Sequence, residues 1–248
     1  MYLKHIDLVL IPNSQHAALR TQDTSMVLLL ISNFLAPSGE HDQETQFGIF
    51  HRMVSILTSL IRLRRDLVVL SLPHLGLILR RLLLCLRGSR PNLGAKQTAL
   101  VMNTQPRWIC CSTHPLGGEE AKALGRLLEN LDIKTTVRIH TSSSTASSSL
   151  QEPPPPPPKA KAESLARPFS KHAAYVLKAY IEAMSDPLCV MSLEVRKELK
   201  EGLFALCGMM SVHSRDALMI GGGLDAGGKV VLKSVWKEWE AVRYVGKG

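Results

Sequence analysis

The amino-acid sequence predicts an all-α protein: an irregular α-solenoid of HEAT or armadillo type, interrupted by a disordered Ser/Pro-rich linker. Three observations predict it. Leucine-rich rows recur at helical spacing through most of the 248 residues. Aromatic residues make up only 5% of a chain that is 45% hydrophobic, a balance that favours helices over a β-sandwich. Proline, serine and glycine punctuate the apolar rows where helices start and stop. No clean repeat period is visible. The expected organisation is an N-terminal helical segment over 1–45, a helical subdomain over 46–140, the linker over 141–167 and a second helical subdomain over 168–248. The two subdomains are expected to pack as one domain.

After a short apolar start over 8–11, the first helix is expected over 24–35, capped by Asp23 or Thr24 and closed by Pro37-Ser-Gly39. Phe47, Phe50, Val54, Leu57 and Ile61 mark the next, with Met53, Leu60 and Leu63 widening its face. A third runs from the break at Ser71-Leu-Pro-His74 to about Leu86, with proline near its first turn and Gly88 just past its end. The stretch 87–115 reads as loop with a short strand or turn. Ala121, Leu124, Leu127, Leu128 and Leu131 form the buried row of a helix starting at Glu119, and the β-branched stretch 134–140 reads as an edge strand or an extended exit. The linker starts with serines and contains six consecutive prolines, too little apolar surface to fold and stiff enough to act as a spacer.

Beyond it, Phe169, Ala173, Val176, Leu177, Tyr180 and Met184 line a helix opened by Pro168 and closed at Asp186-Pro187. Ser192 caps another that carries Val195, Leu199, Leu203, Leu206 and Met210 inward. A short helical piece over 215–220 precedes Gly221-Gly-Gly223, and the terminal helix begins after a cap at Asp225 and ends near Gly246. On that helix Leu232, Val235, Trp239 and Val242 form the apolar stripe, while Lys229, Lys233 and Lys237 align along another side.

A formal charge of +9 and a pI near 9.5 point toward RNA, DNA or acidic proteins as partners. The odd number of cysteines, the apolar segments that hold them and Asp7 inside the N-terminal apolar stretch speak for a reduced intracellular compartment and against a secretory signal. The apolar stretch 67–86 is about long enough to span a bilayer, yet Pro73, His74, Arg80 and Arg81 interrupt it, so it reads as a buried helix and no membrane partner is expected.

The sequence carries little that suggests catalytic chemistry. Gly223-Leu-Asp-Ala-Gly-Gly-Lys229 has the glycine–lysine spacing of a phosphate-binding loop, but Val230 stands where a magnesium-binding hydroxyl is required and no strand precedes it. A tight helix–helix turn explains the glycines better. Cys110-Cys111 with His114 lacks the separated ligands of a structural zinc site. His51, His74, His172 and His213 stand singly. No catalytic residue, cofactor, metal or small-molecule substrate is expected.

What recurs is positive charge. Between residues 47 and 90 the only acid is Asp66, against a group of arginines including Arg62, Arg64, Arg65, Arg80 and Arg81. Arginines at neighbouring helix ends can engage phosphates bidentately. In the tail, Trp236 and Tyr244 interleave with Lys229, Lys233, Lys237, Arg243 and Lys247, a mixture suited to phosphate contact and base stacking. The same residues equally suit contact with acidic proteins.

Several blocks carry a family resemblance: Arg64-Arg-Asp-Leu-Val-Val-Leu-Ser-Leu-Pro-His-Leu-Gly-Leu-Ile-Leu-Arg-Arg-Leu-Leu-Leu84, Gln105-Pro-Arg-Trp108, Ala123-Leu-Gly-Arg-Leu-Leu128 and Lys171-His-Ala-Ala-Tyr-Val-Leu-Lys178. Arg215-Asp-Ala-Leu-Met219, Leu224-Asp-Ala-Gly-Gly-Lys229 and Arg243-Tyr-Val-Gly-Lys-Gly248 complete the pattern. In this order they resemble the C-terminal domain of the second "unhealthy ribosome biogenesis" family, fungal nucleolar proteins that process large-subunit precursor ribosomal RNA. The resemblance runs from about Phe47 to the terminus. It implies a non-enzymatic scaffold in early large-subunit pre-ribosomal particles of the nucleolus and nucleus. Its implied partners are a helical-repeat assembly factor, a DEAD-box RNA helicase and precursor ribosomal RNA, met directly or indirectly. It also implies a longer helical region preceding this domain. The alternative function is a helical protein–protein adaptor without RNA contact.

Overall fold

The computed structural model describes residues 20–136, 162–220 and 223–244. They form helices α1 (Thr21–Phe34), α2 (Phe47–Leu63), α3 (Arg65–Val68), α4 (Leu72–Cys85), α5 (Ala95–Met102), α6 (Gly118–Asn130), α7 (Ala166–Ser185), α8 (Leu193–Met209), α9 (Val212–Ile220) and α10 (Ala226–Tyr244). A 3-10 turn, Val69–Ser71, joins α3 to α4. The strands are two residues each: β1 (Gly88–Ser89), β2 (Thr135–Thr136), β3 (Ala162–Glu163) and β4 (Cys189–Val190). The all-α expectation holds for the described residues.

Local chemistry sets the boundaries. The Ser192 hydroxyl accepts the Val195 N–H at 3.2 Å and starts α8. Asp225 does the same for α10, accepting the Gly228 N–H at 2.6 Å. Asp23 acts from inside its helix instead of capping it: its carboxylate reaches back to the Arg20 N–H at 2.8 Å, one half of a capping box. Pro73 lies in the first turn of α4, where a missing N–H costs nothing. The segment Arg65–Cys85 has the length and apolar composition of a membrane-crossing helix, and Leu75, Ile78, Leu79, Leu82 and Leu83 within it are buried in the core.

A simple solenoid stacks each helical hairpin chiefly on the next. Here the most extensive contacts join helices far apart in sequence, α6 with α8 and α4 with α7. Further contacts of α2 with α6, α7 with α8, and α1 with α4 close these residues into one bundle around a single core. The α6–α8 crossing is backbone on backbone. A Cβ on Gly125 would lie 2.8 Å from the Glu198 carbonyl oxygen, and one on Gly202 would lie 2.8 Å from Gly125 Cα. Two glycines, 77 residues apart by their numbers, let the helix axes approach this closely. Gly76 of α4 meets His172 of α7 in a looser version, 3.4 Å from a built Cβ to the His172 Cβ.

Several sequence expectations change. The stretch 87–115 contains α5, which buries only Val101 and therefore shows almost no apolar row. Residues 105–111 of that stretch reach into the core: Trp108 donates to the Phe34 carbonyl at 2.7 Å, and Gln105, fully buried, donates to the Leu84 carbonyl at 2.9 Å. Phe47 and Leu63, read as part of the buried face of α2, are exposed. The helix expected from Pro168 begins two residues earlier, inside the stretch assigned to the linker, and Leu165 is already buried. The β2–β3 pairing, Thr135 opposite Glu163, sets the two ends of the intervening stretch side by side. The serine run and the six prolines lie outside the described residues.

Replacing Gly202 with Ala should destabilise the fold by about 1–3 kcal/mol in urea unfolding, because the crossing must spread to admit one methyl. Gly48→Ala, in a helix with nothing within 4 Å, should be neutral or gain up to about 1 kcal/mol. His172 supplies a pH prediction. Burial, and then the neighbouring Lys171 charge, hold its pKa below the ordinary 6.5. The neutral ring is the form that the fold accepts, so its contribution to stability is present above pH 6.5 and lost as pH falls toward the depressed folded value. Unfolding midpoints measured from pH 7 down to 5 should drop, and His172→Gln should remove that part of the drop.

Candidate nucleic-acid interface

The terminal helix α10 presents a packed face and a cationic one. Leu232 is buried, and Val235, Trp236 and Trp239 are packed against the core beside it. Val242, read as the end of this stripe, is exposed, since the last turns of α10 run past the bundle. Gly228 explains how the helix docks at its other end. A Cβ there would lie 3.1 Å from Ile181 of α7, so the glycine-rich turn serves close packing, and α9 precedes it where a phosphate-binding loop needs a strand.

A second face carries the cations. Lys233 and Lys237 are exposed and Lys229 is half-buried, all along one side of the helix. Adjoining them is a layered stack: the Arg215 guanidinium of α9 sits 5.2 Å from the Trp236 ring centre, Trp236 lies 4.8 Å from Trp239, and Arg243 sits 5.1 Å from Trp239. The Trp236 indole N–H donates to Glu240 at 2.8 Å, and Arg215 pairs with Asp216 at 3.1 Å. Arg215, Asp216, Trp236 and Glu240 line a cleft of about 350 Å³ between α9 and α10, bounded by Lys233 and Lys237. Tyr244 is exposed at the end of the helix, and Lys247 lies outside the described residues. Arg215 is absent from the sequence-based set because nothing in a one-dimensional pattern joins it to Trp236.

The arginine group expected over 62–81 does not form one patch. Arg65 is buried, where its Nη1 donates to the Ile133 carbonyl at 2.9 Å and its Nε to the Ile61 carbonyl at 3.4 Å; burial lowers its pKa. Arg81 donates to the Ser32 carbonyl at 2.7 Å and to the Ser32 hydroxyl at 2.9 Å, so it closes the C-terminal end of α1. Arg64 pairs with Asp66 at 3.5 Å. Arg80 is half-buried, and Arg62 is exposed in the last turn of α2. Arg87, another member of the run, is buried among the Leu84 carbonyl, Thr104 and Asp186. Arginine is well suited to this role, since its planar fork can satisfy several carbonyls at once.

His51 has a carboxylate partner that the sequence did not suggest. Its Nε2 lies 2.9 Å from Glu120 Oε1, while the other oxygen of Glu120 accepts the Gly117 N–H at 2.9 Å. One buried carboxylate thus starts α6 and ties it to α2. Cys110 and His114 close a turn in which the His114 N–H donates to the Cys110 carbonyl at 2.9 Å. Burial pushes the Cys110 thiol up, but the Ser112 and Thr113 hydrogen bonds outweigh it and bring it down to about 7. Among the described residues no group of three metal-binding side chains converges.

A protein-family model, described as the Urb2/Npa2 family, matches residues 1–247. The chain belongs to the Urb2/Npa2 family. This is a family of nucleolar ribosome-biogenesis proteins. The match takes in the first 46 residues, which the sequence blocks alone left out. No curated protein and no solved structure matches the chain.

The division among arginines can be tested by stability. Arg81→Gln should cost about 1–3 kcal/mol in urea unfolding because it leaves the end of α1 unsatisfied. Lys233→Gln should stay within about 0.5 kcal/mol of the parent, as an exposed substitution does.

Proposed function

We propose that this chain is a non-enzymatic scaffold of early large-subunit pre-ribosomal particles in the nucleolus, and that it supports precursor-RNA processing by holding RNA along α10. Membership of a ribosome-biogenesis family supports the setting. The observation that carries the RNA reading is the second face of α10, where the lysine row runs beside the Arg215–Trp236–Trp239–Arg243 stack. Ammonium groups along a helix match the spacing of a flexible phosphate backbone, and the adjacent tryptophan–arginine stack offers a surface for an unpaired base. The bundle contributes rigidity: α10 is docked at Gly228 and Leu232, so the row holds its direction. In this reading the chain works beside a helical-repeat assembly factor and a DEAD-box RNA helicase. The helicase remodels RNA that the scaffold keeps in place.

The full chain should bind a large-subunit precursor transcript with an affinity that falls steeply with salt. Neutralising Lys229, Lys233 and Lys237 together to Gln should reduce the slope of log K against log salt by about 2–3, the counterions of three phosphate contacts. Nitrocellulose retention across a salt series measures this. An unchanged slope contradicts the RNA reading and leaves a protein–protein adaptor as the function.

A further inference from the structure

On the side of α10 away from the lysine row, a groove of about 530 Å³ runs between α10 and α8, with α7 beneath it. We infer that this groove is a docking site for an acidic amphipathic helix of a partner protein. Its floor is apolar: Met184, Leu203, Phe204, Val231 and Val235 line it. Its two lips carry large aliphatic side chains that the fold leaves in solvent, Leu193 on α8, 74% exposed, and Val230 on α10, 68% exposed. Along the α8 lip stand Arg196, Lys197 and Lys200. The sole acid among the lining residues is Glu238, which pairs with Lys200 at 2.9 Å across the groove.

Both the apolar area and the charge select the occupant. From Leu193 to Phe204 the α8 wall is about 16 Å long, room for about three turns of helix. A helix laid there buries its apolar stripe between the lips and floor, and carboxylates on its flank meet Arg196 and Lys197. A carboxylate one turn further competes with Glu238 for Lys200. RNA fits this groove poorly, because its aromatic members, Tyr180 and Phe204, are buried and offer no free ring face for a base. A second copy of this chain fits poorly too, since a protein of net charge +9 would bring like charge to a cationic rim. The groove lies on a different face from the proposed RNA ridge, so the two readings stand or fall separately.

The test uses the full chain and a fluorescein-labelled synthetic peptide about three turns long, with leucines at helical spacing and glutamates elsewhere, read by anisotropy. Saturable binding is expected, weakened about tenfold or more by Leu193→Ser with Val230→Ser and by Arg196→Glu with Lys197→Glu. The four residues are exposed, so these variants should unfold like the parent. A peptide with lysine in place of glutamate should not bind. Absence of saturable binding overturns the inference, as does equal binding of the lysine peptide or indifference to the substitutions. A change in oligomeric state of the serine variant would assign the groove to a second copy. A loss of RNA retention in that variant would assign it to RNA. Neither result touches the lysine-row experiment, whose failure would in turn leave the groove intact.

Discussion

The α6–α8 crossing at Gly125 and Gly202 is the constraint on which the rest of the arrangement depends. Each helix that meets there holds another in place. Through Glu120, α6 fixes α2, and α8 packs α7 and forms a wall for α10. With backbones in near contact, side chains on the flanks interdigitate closely, and dispersion contacts accumulate along both helices. Any residue with a Cβ at either site would lever the two halves of the chain apart, because they meet chiefly here and at the α4–α7 crossing. The terminal helix α10 inherits its orientation from this interior contact.

Much of the helix content was legible because burial leaves a periodic trace. Phe50, Val54, Leu57 and Ile61 recur in sequence and are buried in α2, and Ser192 caps α8 as a serine before an apolar row should. Elements without that trace were not legible. Helix α5 rests on turn geometry and one buried valine. The packing order was hidden for a different reason: Gly125 and Gly202 carry no side chain, and glycine within a helical pattern reads as a weakness when it marks a close crossing.

The candidate site was legible in the same uneven way. A lysine row at four-residue spacing shows its face in the sequence, and α10 displays it. The arginines of 62–87 share one sign and one neighbourhood in sequence, yet the fold divides them. Arg65, Arg81 and Arg87 face inward, and each has at least one partner 17–99 residues away that no local pattern shows. Charge counting therefore overstated the arginine surface. It also missed Arg215, which completes the tryptophan stack from another helix.

The central claim is that a rigid helical bundle presents α10 to ribosomal precursor RNA. Ultraviolet crosslinking in cells, followed by mass spectrometry of the crosslinked peptides and sequencing of the attached RNA, tests it most directly. The account predicts crosslinks in peptides of α10 and at Arg215 of α9, attached to large-subunit precursor sequence. Crosslinks confined to the α2–α4 arginines, or a chain recovered in pre-ribosomal particles with no RNA attached to it, would contradict it.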